Sequence, residues 1–471
     1  MAGLDDASRE DLLAIIAAQA KQVELLTARV SELERQLGQN SRNSSRPPSS
    51  DGLDKPAPKS LRGRSGRKPG GQRGHRGHTL EQVADPDEVI GHEPAACGGC
   101  GAALSGAMLA GVERRQVFDI PPIAVRVVEH QLIGRTCSCG TTTYPCSPDR
   151  VNAPVQYGSR ITAIILYLYV GQFLSKHRTA QALAELFGTP VSGGTVATMA
   201  QRATERLAAF TRVVRERIAA AAVAHFDETG FRVQSQLRWV HSASTGKYSL
   251  ITVHDKRGTE AMNAAGVLPV FTGVACHDAW APYDTYTSAS HSLCNAHALR
   301  ELQAVIEQAD PDQWCWASQV AQALRDMKTL VDDQLRATPG SLDGLDTTRL
   351  DELTYRFRSA TMIGAAQTQD RSTKPIAKAH ALARRLIDRQ TDYLRFTTNP
   401  AVSFDNNAAE REIRMIKIRQ KVSGCLRTLT GAEQFCTIRS YLATASKHGI
   451  HFFDSLTSLA EGTPWLPENA H

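Results

Sequence analysis

Two kinds of side chain in this 471-residue sequence have types and spacings suited to chemistry: closely paired cysteines and acids that end apolar runs. Cys97 and Cys100 form a C-x-x-C pair, Cys137 and Cys139 a C-x-C pair, and Cys146 follows. Short cysteine pairs about forty residues apart are a zinc-ligand pattern. Four thiolates leave no open coordination position, so such a zinc is structural and staples a region too poor in apolar surface to fold alone. Cys146 is left as a spare thiol or a substitute ligand. The opening Met1-Ala-Gly-Leu-Asp-Asp has neither the basic start nor the apolar core of an export signal, so a cytoplasmic protein without disulfides is expected.

Among the acids, Asp227 closes the run Ala-His-Phe-Asp and Asp278 closes Ala-Cys-His-Asp. Strand alternation puts Val223, His225 and Asp227 on one face, and Val274, Cys276 and Asp278 likewise. Ionised carboxylates on a buried sheet are costly unless paired or metal-bound, and two on neighbouring strands repel. A divalent cation removes both objections, and hard oxygen ligands suit Mg²⁺ or Mn²⁺. Glu410, on a helix beginning near Asn407, is the candidate third ligand. Two ions about 3.5–4 Å apart activate the attacking oxygen and stabilise the leaving oxygen of a phosphodiester displacement. Each acid also has a plainer reading. Asp227 can cap a turn at Glu-Thr-Gly, and Asp278 can sit in a loop with Trp280, Pro282 and Asp284. Glu410 can close a capping box with Asn407 or pair with Arg414 one turn on.

The elements that must position these groups follow from periodicity. Leu12, Ile16, Gln19, Val23, Leu26, Val30, Leu33 and Leu37 step by four and three, a heptad seam within a helix over residues 1–40. Self-association is the favoured reading and packing on the chain's own core the alternative. Residues 41–85 form a flexible basic linker. Between Ser41 and His78, ten lysines and arginines face two aspartates, whereas the whole chain carries only +6. Arg62, Arg64, Arg67 and Lys68 belong to this arm, which is suited to tracking DNA phosphates without reading bases, a solvated linker being the plainer alternative. Residues 86–150 hold the cysteines, with short strands expected at 116–120 and 125–130. Residues 151–220 are helical, and the helix–turn–helix outline around Gly188 and Gly193 suits DNA reading or a simple helical hairpin.

From residue 221 the texture changes to three consecutive strands, a helix at 259–266, a fourth strand ending at Asp278, a short strand near Ser292 and a helix from Ala296. This is an α/β layout with a mixed sheet over 221–309. Residues 310–400 read as a helical insertion, with long helices at 316–337 and 376–395. Residues 401–430 return to the α/β part through the helix bearing Glu410, and 431–471 form a C-terminal element. Length suits two to four domains, and 42% hydrophobic with 22% charged residues excludes a disordered or fibrous chain. The longest apolar run, 161–174, is too short to span a membrane.

Several segments together resemble the DDE-type transposases of bacterial insertion sequences in the IS66 family. They are QNSRNSSRPPSSDG, RKPGGQRGHRGHTL, the paired-cysteine module, HFDETGFRV, CHDAWAPYD, LCNAHALREL and FDNNAAEREIR, in that order and nearly end to end. The resemblance implies a ribonuclease-H-like core with a catalytic triad at Asp227, Asp278 and Glu410, and it selects Asp227 over Glu228 and Asp278 over Asp284. LCNAHALREL departs from a family stretch richer in basic residues, which bears on a DNA contact by Arg300. The C-x-C pair is tighter than an ordinary zinc knuckle.

The implied activity is metal-dependent cleavage at the element ends followed by joining of the freed 3′-hydroxyls to target DNA. Arg411, Arg414, Lys417 and Lys421 are expected to hold phosphates beside the metals, a solvated basic face being the alternative. DNA, a second copy of the chain and small helper proteins encoded by the element are the expected partners, in the nucleoid. A non-catalytic DNA-binding regulator and a structure-specific nuclease with the same core are the rival functions.

Overall fold

The structure, a computed structural model, describes residues 8–39, 43, 80–121, 123–310 and 312–467. Arg62, Arg64, Arg67 and Lys68 of the basic arm lie outside the described residues. Helix α1 (Arg9–Leu37) is continuous, and its seam residues Leu12, Ile16, Val23, Leu26, Val30, Leu33 and Leu37 are exposed rather than packed on the chain's own core.

Among the described residues of the cysteine region, regular strands are limited to β1 (Arg135–Thr136) and β2 (Thr142–Thr143), which pair antiparallel. The strands expected at 116–120 and 125–130 do not form. Val117, Ile120 and Val127 are exposed, with no neighbouring strand to bond their backbones or cover their side chains. Alternating apolar residues make a strand only where a partner is available.

Four helices follow: α2 (Ser159–Leu166), extended by a π turn, then α3 (Lys176–Phe187), α4 (Gly193–Arg206) and α5 (Ala208–Ala219). The break between α3 and α4 is chemical. Gly188 ends α3 at φ 58°, and the Ser192 hydroxyl accepts from Thr195 N–H to start α4.

The central sheet contains β3 (Val223–Val233), β4 (Gln236–Ser244), β5 (Ser249–His254), β6 (Val274–His277) and β7 (Ser290–Leu293), with α6 (Thr259–Ala265) between β5 and β6. Its order is β5-β4-β3-β6-β7: β3, β4 and β5 are antiparallel neighbours, whereas β6 runs parallel to β3 and β7 parallel to β6. Gln234 and Ser235, both at positive φ, make the tight β3–β4 turn. Asp227 therefore does not close its strand: β3 continues six residues further, because β4 pairs with it as far as Val233.

Helix α7 (Asn295–Ile306) leads into the helices α8 (Trp316–Ala337), α9 (Thr347–Gln367), α10 (Lys374–Asp388) and α11 (Gln390–Leu394). The helix expected over 376–395 is broken at Arg389, whose guanidinium binds Asp392 and Asp284. Helices α12 (Asn407–Ser423), α13 (Leu429–Lys447) and α14 (Phe452–Glu461) complete the chain.

Two cores result. One joins α2–α5, the sheet and α12–α14 through Ile165, Phe210, Phe226, Ile416, Phe435 and Tyr441; the other fills α7–α11 with Leu302, Trp316, Leu324, Phe357 and Leu386. Helix α13 also closes the β5 edge. Ser249 and Ile251 N–H donate to the Thr444 and Ser440 hydroxyls at 3.0 and 2.8 Å, so two side chains do the work of a missing strand. Among the described residues, no helix is long and apolar enough to cross a membrane.

The start of β6 depends on close backbone approach. Val274 N–H donates to Ala222 O at 2.8 Å, and a Cβ on Gly273 would fall against the carbonyl oxygens of Ala221 and Ala222. Gly273→Ala is expected to cost about 1–3 kcal/mol by overpacking, read as a lower urea midpoint with an unchanged slope.

Candidate acidic site and cysteine knuckles

Strands β3 and β6 set two of the acids side by side. Their parallel register pairs His225 with Cys276, and Asp227 and Asp278 each lie two residues beyond that pair, on the same face. Because β6 ends at His277, Asp278 stands at the carboxyl end of its strand, where the chain turns away. Trp280 N–H donates to Asp278 Oδ1 at 3.0 Å, so the loop reading of Asp278 holds for its backbone. The turn-cap reading of Asp227 does not hold, since Glu-Thr-Gly continues the strand.

Glu410 arrives on the first turn of α12, and one side chain fixes that helix on the sheet. Asn406, 2% exposed, donates from Nδ2 to Phe226 O at 2.7 Å and shares a 2.9 Å hydrogen bond with His225 Nδ1. Its N–H meets Cys294 Sγ at 3.2 Å. Asn295, at the head of α7, donates from its backbone to Phe404 O at 3.1 Å and from its side chain to Tyr393 O at 2.8 Å. The starts of α7 and α12 are thus tied to each other and to β3. Glu410 makes no capping box, as α12 has no side-chain cap; its ion pair is with Arg300 on α7, and the Arg414 charge also acts on it.

Arg300 Nη2 lies 3.7 Å and His297 Nδ1 3.8 Å from Glu410 Oε1. Arg300 thus faces an acid within the molecule. Glu410 Oε1 and His297 Nδ1 are both buried without a hydrogen-bond partner.

Electrostatics bind the three acids into one group. Burial pushes the Asp227 carboxyl well above its usual range, and Glu228, Glu410 and Asp278 push it further. Burial likewise raises Asp278 and Glu410, with Arg300 opposing it at Glu410 and the Asp278 charge adding to it. Their neighbours differ. Glu228, also raised by burial, takes Arg257 on Oε1 at 2.7 Å and the Tyr283 hydroxyl on Oε2 at 2.7 Å. Arg257 is itself stacked 3.9 Å over Trp280. Asp284 is paired to Arg389 at 2.6 Å. Both rejected acids are therefore already neutralised by cations, whereas Asp227 and Asp278 have no ion pair among the described residues.

Oxygen donors of this kind, mutually repelling and poorly solvated, fit a hard divalent cation. Among the described residues, the donor atoms lying mutually within 4.8 Å in a set of three are those of Cys294, His297 and Glu410. Sequence reasoning assigned nothing to His297 or Asn406. Each lies inside a segment quoted for the resemblance, but nothing in its spacing marks it as a neighbour of the acids.

The basic residues after Glu410 divide. Arg411, Arg414 and Lys421 are exposed, whereas Lys417 turns inward, donates to Gly230 O on β3, and is held below its usual pKa by burial. Its ammonium is committed to the fold.

In the cysteine region the two pairs sit in matching turns. Cys97 O accepts from Gly101 N–H, and Cys97 N–H donates to Ala102 O. Cys137 O accepts from Gly140 N–H, and Cys137 N–H donates to Thr141 O. Gly101 and Gly140, each following the second cysteine, take φ 77° and 88°. The C-x-C turn is the C-x-x-C turn shortened by one residue, with the same backbone closure. The Thr141 hydroxyl and backbone lower the Cys139 thiol to about 7. Thiols in paired glycine turns, three exposed and Cys97 half-buried, fit a zinc ion, although the four sulphurs are not gathered into one cluster. Cys146 is exposed beyond the second turn.

Residues 154–434, more than half of the chain, match the model of the transposase IS66 family, and residues 94–140 match the zinc-finger binding domain of transposase IS66. Residues 5–81 match a family of unknown function, DUF6444. No curated protein matches the chain. The three acids fall inside the longer span and the four paired cysteines inside the shorter, and the chain belongs to the transposase IS66 family.

Proposed function

We propose that this transposase cleaves the ends of its element and joins them to target DNA at a site formed by Asp227, Asp278 and Glu410 in a ribonuclease-H-like core. The observation that carries the reading is the pairing of Asp227 and Asp278 at matched positions on adjacent parallel strands, with Glu410, one oxygen of which is buried without a hydrogen-bond partner, on the first turn of a helix tied to β3. The sheet order, with three antiparallel strands and two added in parallel, is the arrangement expected of such a core. The core spans 221–309 and is completed by 401–430, with 310–400 inserted.

The three carboxylates would hold Mg²⁺ or Mn²⁺, which when bound activates the attacking oxygen and stabilises the leaving oxygen of a phosphodiester displacement. The chemistry is two in-line displacements at phosphorus. Water first displaces the 3′ oxygen at each element end, and the freed 3′-hydroxyl then displaces a 3′ oxygen of target DNA. No side chain of the protein becomes covalently attached. Asn406 holds the Glu410 helix against β3, so it acts as a positioning residue. Exposed Arg411, Arg414 and Lys421 would hold DNA phosphates beside the acids, and α3–α4 would contact DNA as a helix-turn-helix. Cys97, Cys100, Cys137 and Cys139 would bind one structural zinc. The exposed seam of α1 would pair with a second copy of the chain.

Asp227→Asn, Asp278→Asn and Glu410→Gln are each expected to lower cleavage and strand transfer of element-end DNA more than about a hundredfold; near-wild-type turnover in any of them removes that residue. Cleavage without joining by the wild type would favour the nuclease instead. The folded state raises the Asp227 pKa, so its contribution to stability is present below the unfolded value of about 3.9 and is lost as pH rises through the folded value. In EDTA, the advantage of Asp227→Asn over wild type in melting temperature should therefore grow with pH, and Mg²⁺ should shrink it. Metal analysis should find one zinc per wild-type chain and none in Cys97→Ser/Cys139→Ser. Sedimentation of Val23→Asp/Leu26→Asp should show loss of the self-associated species; an unchanged profile would leave α1 with another role.

A further inference from the structure

A cleft of about 990 Å³ opens between α3, α4 and the turn joining α12 to α13. Lys176, His177, Arg419 and Arg427 line it, and no aspartate or glutamate does. Among the described residues neither Lys176 nor Arg427 has an ion pair. The Lys176 ammonium is held below its usual pKa by burial and by the Arg427 charge. Arg419 is only 3% exposed. One of its guanidinium nitrogens reaches Gly424 O at 3.2 Å, but Nε is buried without a hydrogen-bond partner. A buried cationic donor left unmatched is costly, and the Arg419 charge in the cleft wall favours an anion there.

The backbone adds to this. Helices α3, α4 and α13 all begin at the cleft, after the capping residues Ser175, Ser192 and Thr428. Gly193, Gly194 and Gly431 lie in its wall; the caps take one N–H of each first turn, and the positive end of each helix still faces the opening. Three positive helix ends and the basic side chains of Lys176, Arg419 and Arg427 around one opening favour an oxyanion there.

We propose that this cleft binds the phosphodiester backbone of DNA, at a place separate from the acids. The cleft's size favours a length of backbone over a lone phosphate, since the donors are spread over three helices. Separation from the acids follows from helix geometry. Glu410 and Arg419 are nine residues apart on α12, which at 3.6 residues per turn is about two and a half turns, so they face opposite sides roughly 14 Å apart along the axis. A strand held at Arg419 is therefore a different stretch from the one at Glu410. The proposal rests on the reading that the chain acts on DNA.

The test is anisotropy of a labelled random-sequence duplex with the full chain in EDTA, across a series of salt concentrations. Lys176→Ala/Arg427→Ala is expected to weaken binding about tenfold, and to flatten the slope of log affinity against log salt by about two, one per lost phosphate contact. Its melting temperature should stay at the wild-type value. Wild type that binds with a variant of unchanged affinity and slope would overturn the cleft assignment and leave the function standing. Wild type that binds no duplex would remove the reading beneath both. Inorganic phosphate that stabilises wild type but not the variant, with duplex binding unaffected, would make this a small-anion site and also overturn the proposal.

Discussion

Three half-buried carboxylates whose charges act on one another, Asp227, Asp278 and Glu410, form the constraint on which the rest of this structure depends. Burial disfavours charge on each of Asp227, Asp278 and Glu410, and the others' charges worsen matters at Asp227. Left free, such groups would turn outward to solvent. The backbone prevents it: two sit at matched register positions of a parallel strand pair, and the third is on a helix that Asn406 ties to β3 through two hydrogen bonds. The cost of gathering them is met by hydrogen bonds and packing elsewhere in the fold, which is how strained functional groups persist.

The same region shows how neighbouring acids are told apart. Glu228 follows Asp227 directly, but strand alternation turns it to the opposite face, where Arg257 and Tyr283 occupy both its oxygens. Asp284 is held by Arg389 from the break between α10 and α11. Thus the helical insertion does more than lengthen the chain. It supplies the cation that removes one acid from competition, and through Tyr393 it helps fix the start of α7.

Around this centre, the cationic side chains fall into three groups by what they face. Lys417 and Arg257 are consumed by the fold, the first on a carbonyl and the second between an acid and an indole ring. Arg300 faces Glu410 without close contact. Arg411, Arg414 and Lys421 face solvent, and Lys176, Arg419 and Arg427 surround a cleft that has no acid in its wall. Charge that the fold itself does not neutralise is the feature that points outward, to a polyanion.

Much of this was legible in the residue order because it is local. The heptad helix, the helix–turn–helix outline, the run of strands after residue 221 and the helical insertion all follow from periodicity and from caps such as Ser192. The paired cysteines and the two acids after apolar runs were likewise visible as spacings, although Asp227 lies within β3 and not at its end. Strands at 116–120 and 125–130 were misread because alternation describes a face but supplies no partner. Lys417 was misread because helical phase shows which residues share a stripe, and not which carbonyl waits beneath it. What tertiary structure alone decided was company: which acid met a cation, which met only other acids, and which side of α12 Arg419 faced. Those outcomes depend on contacts between groups far apart in the chain, whose energies arise only once the sheet and helices have packed.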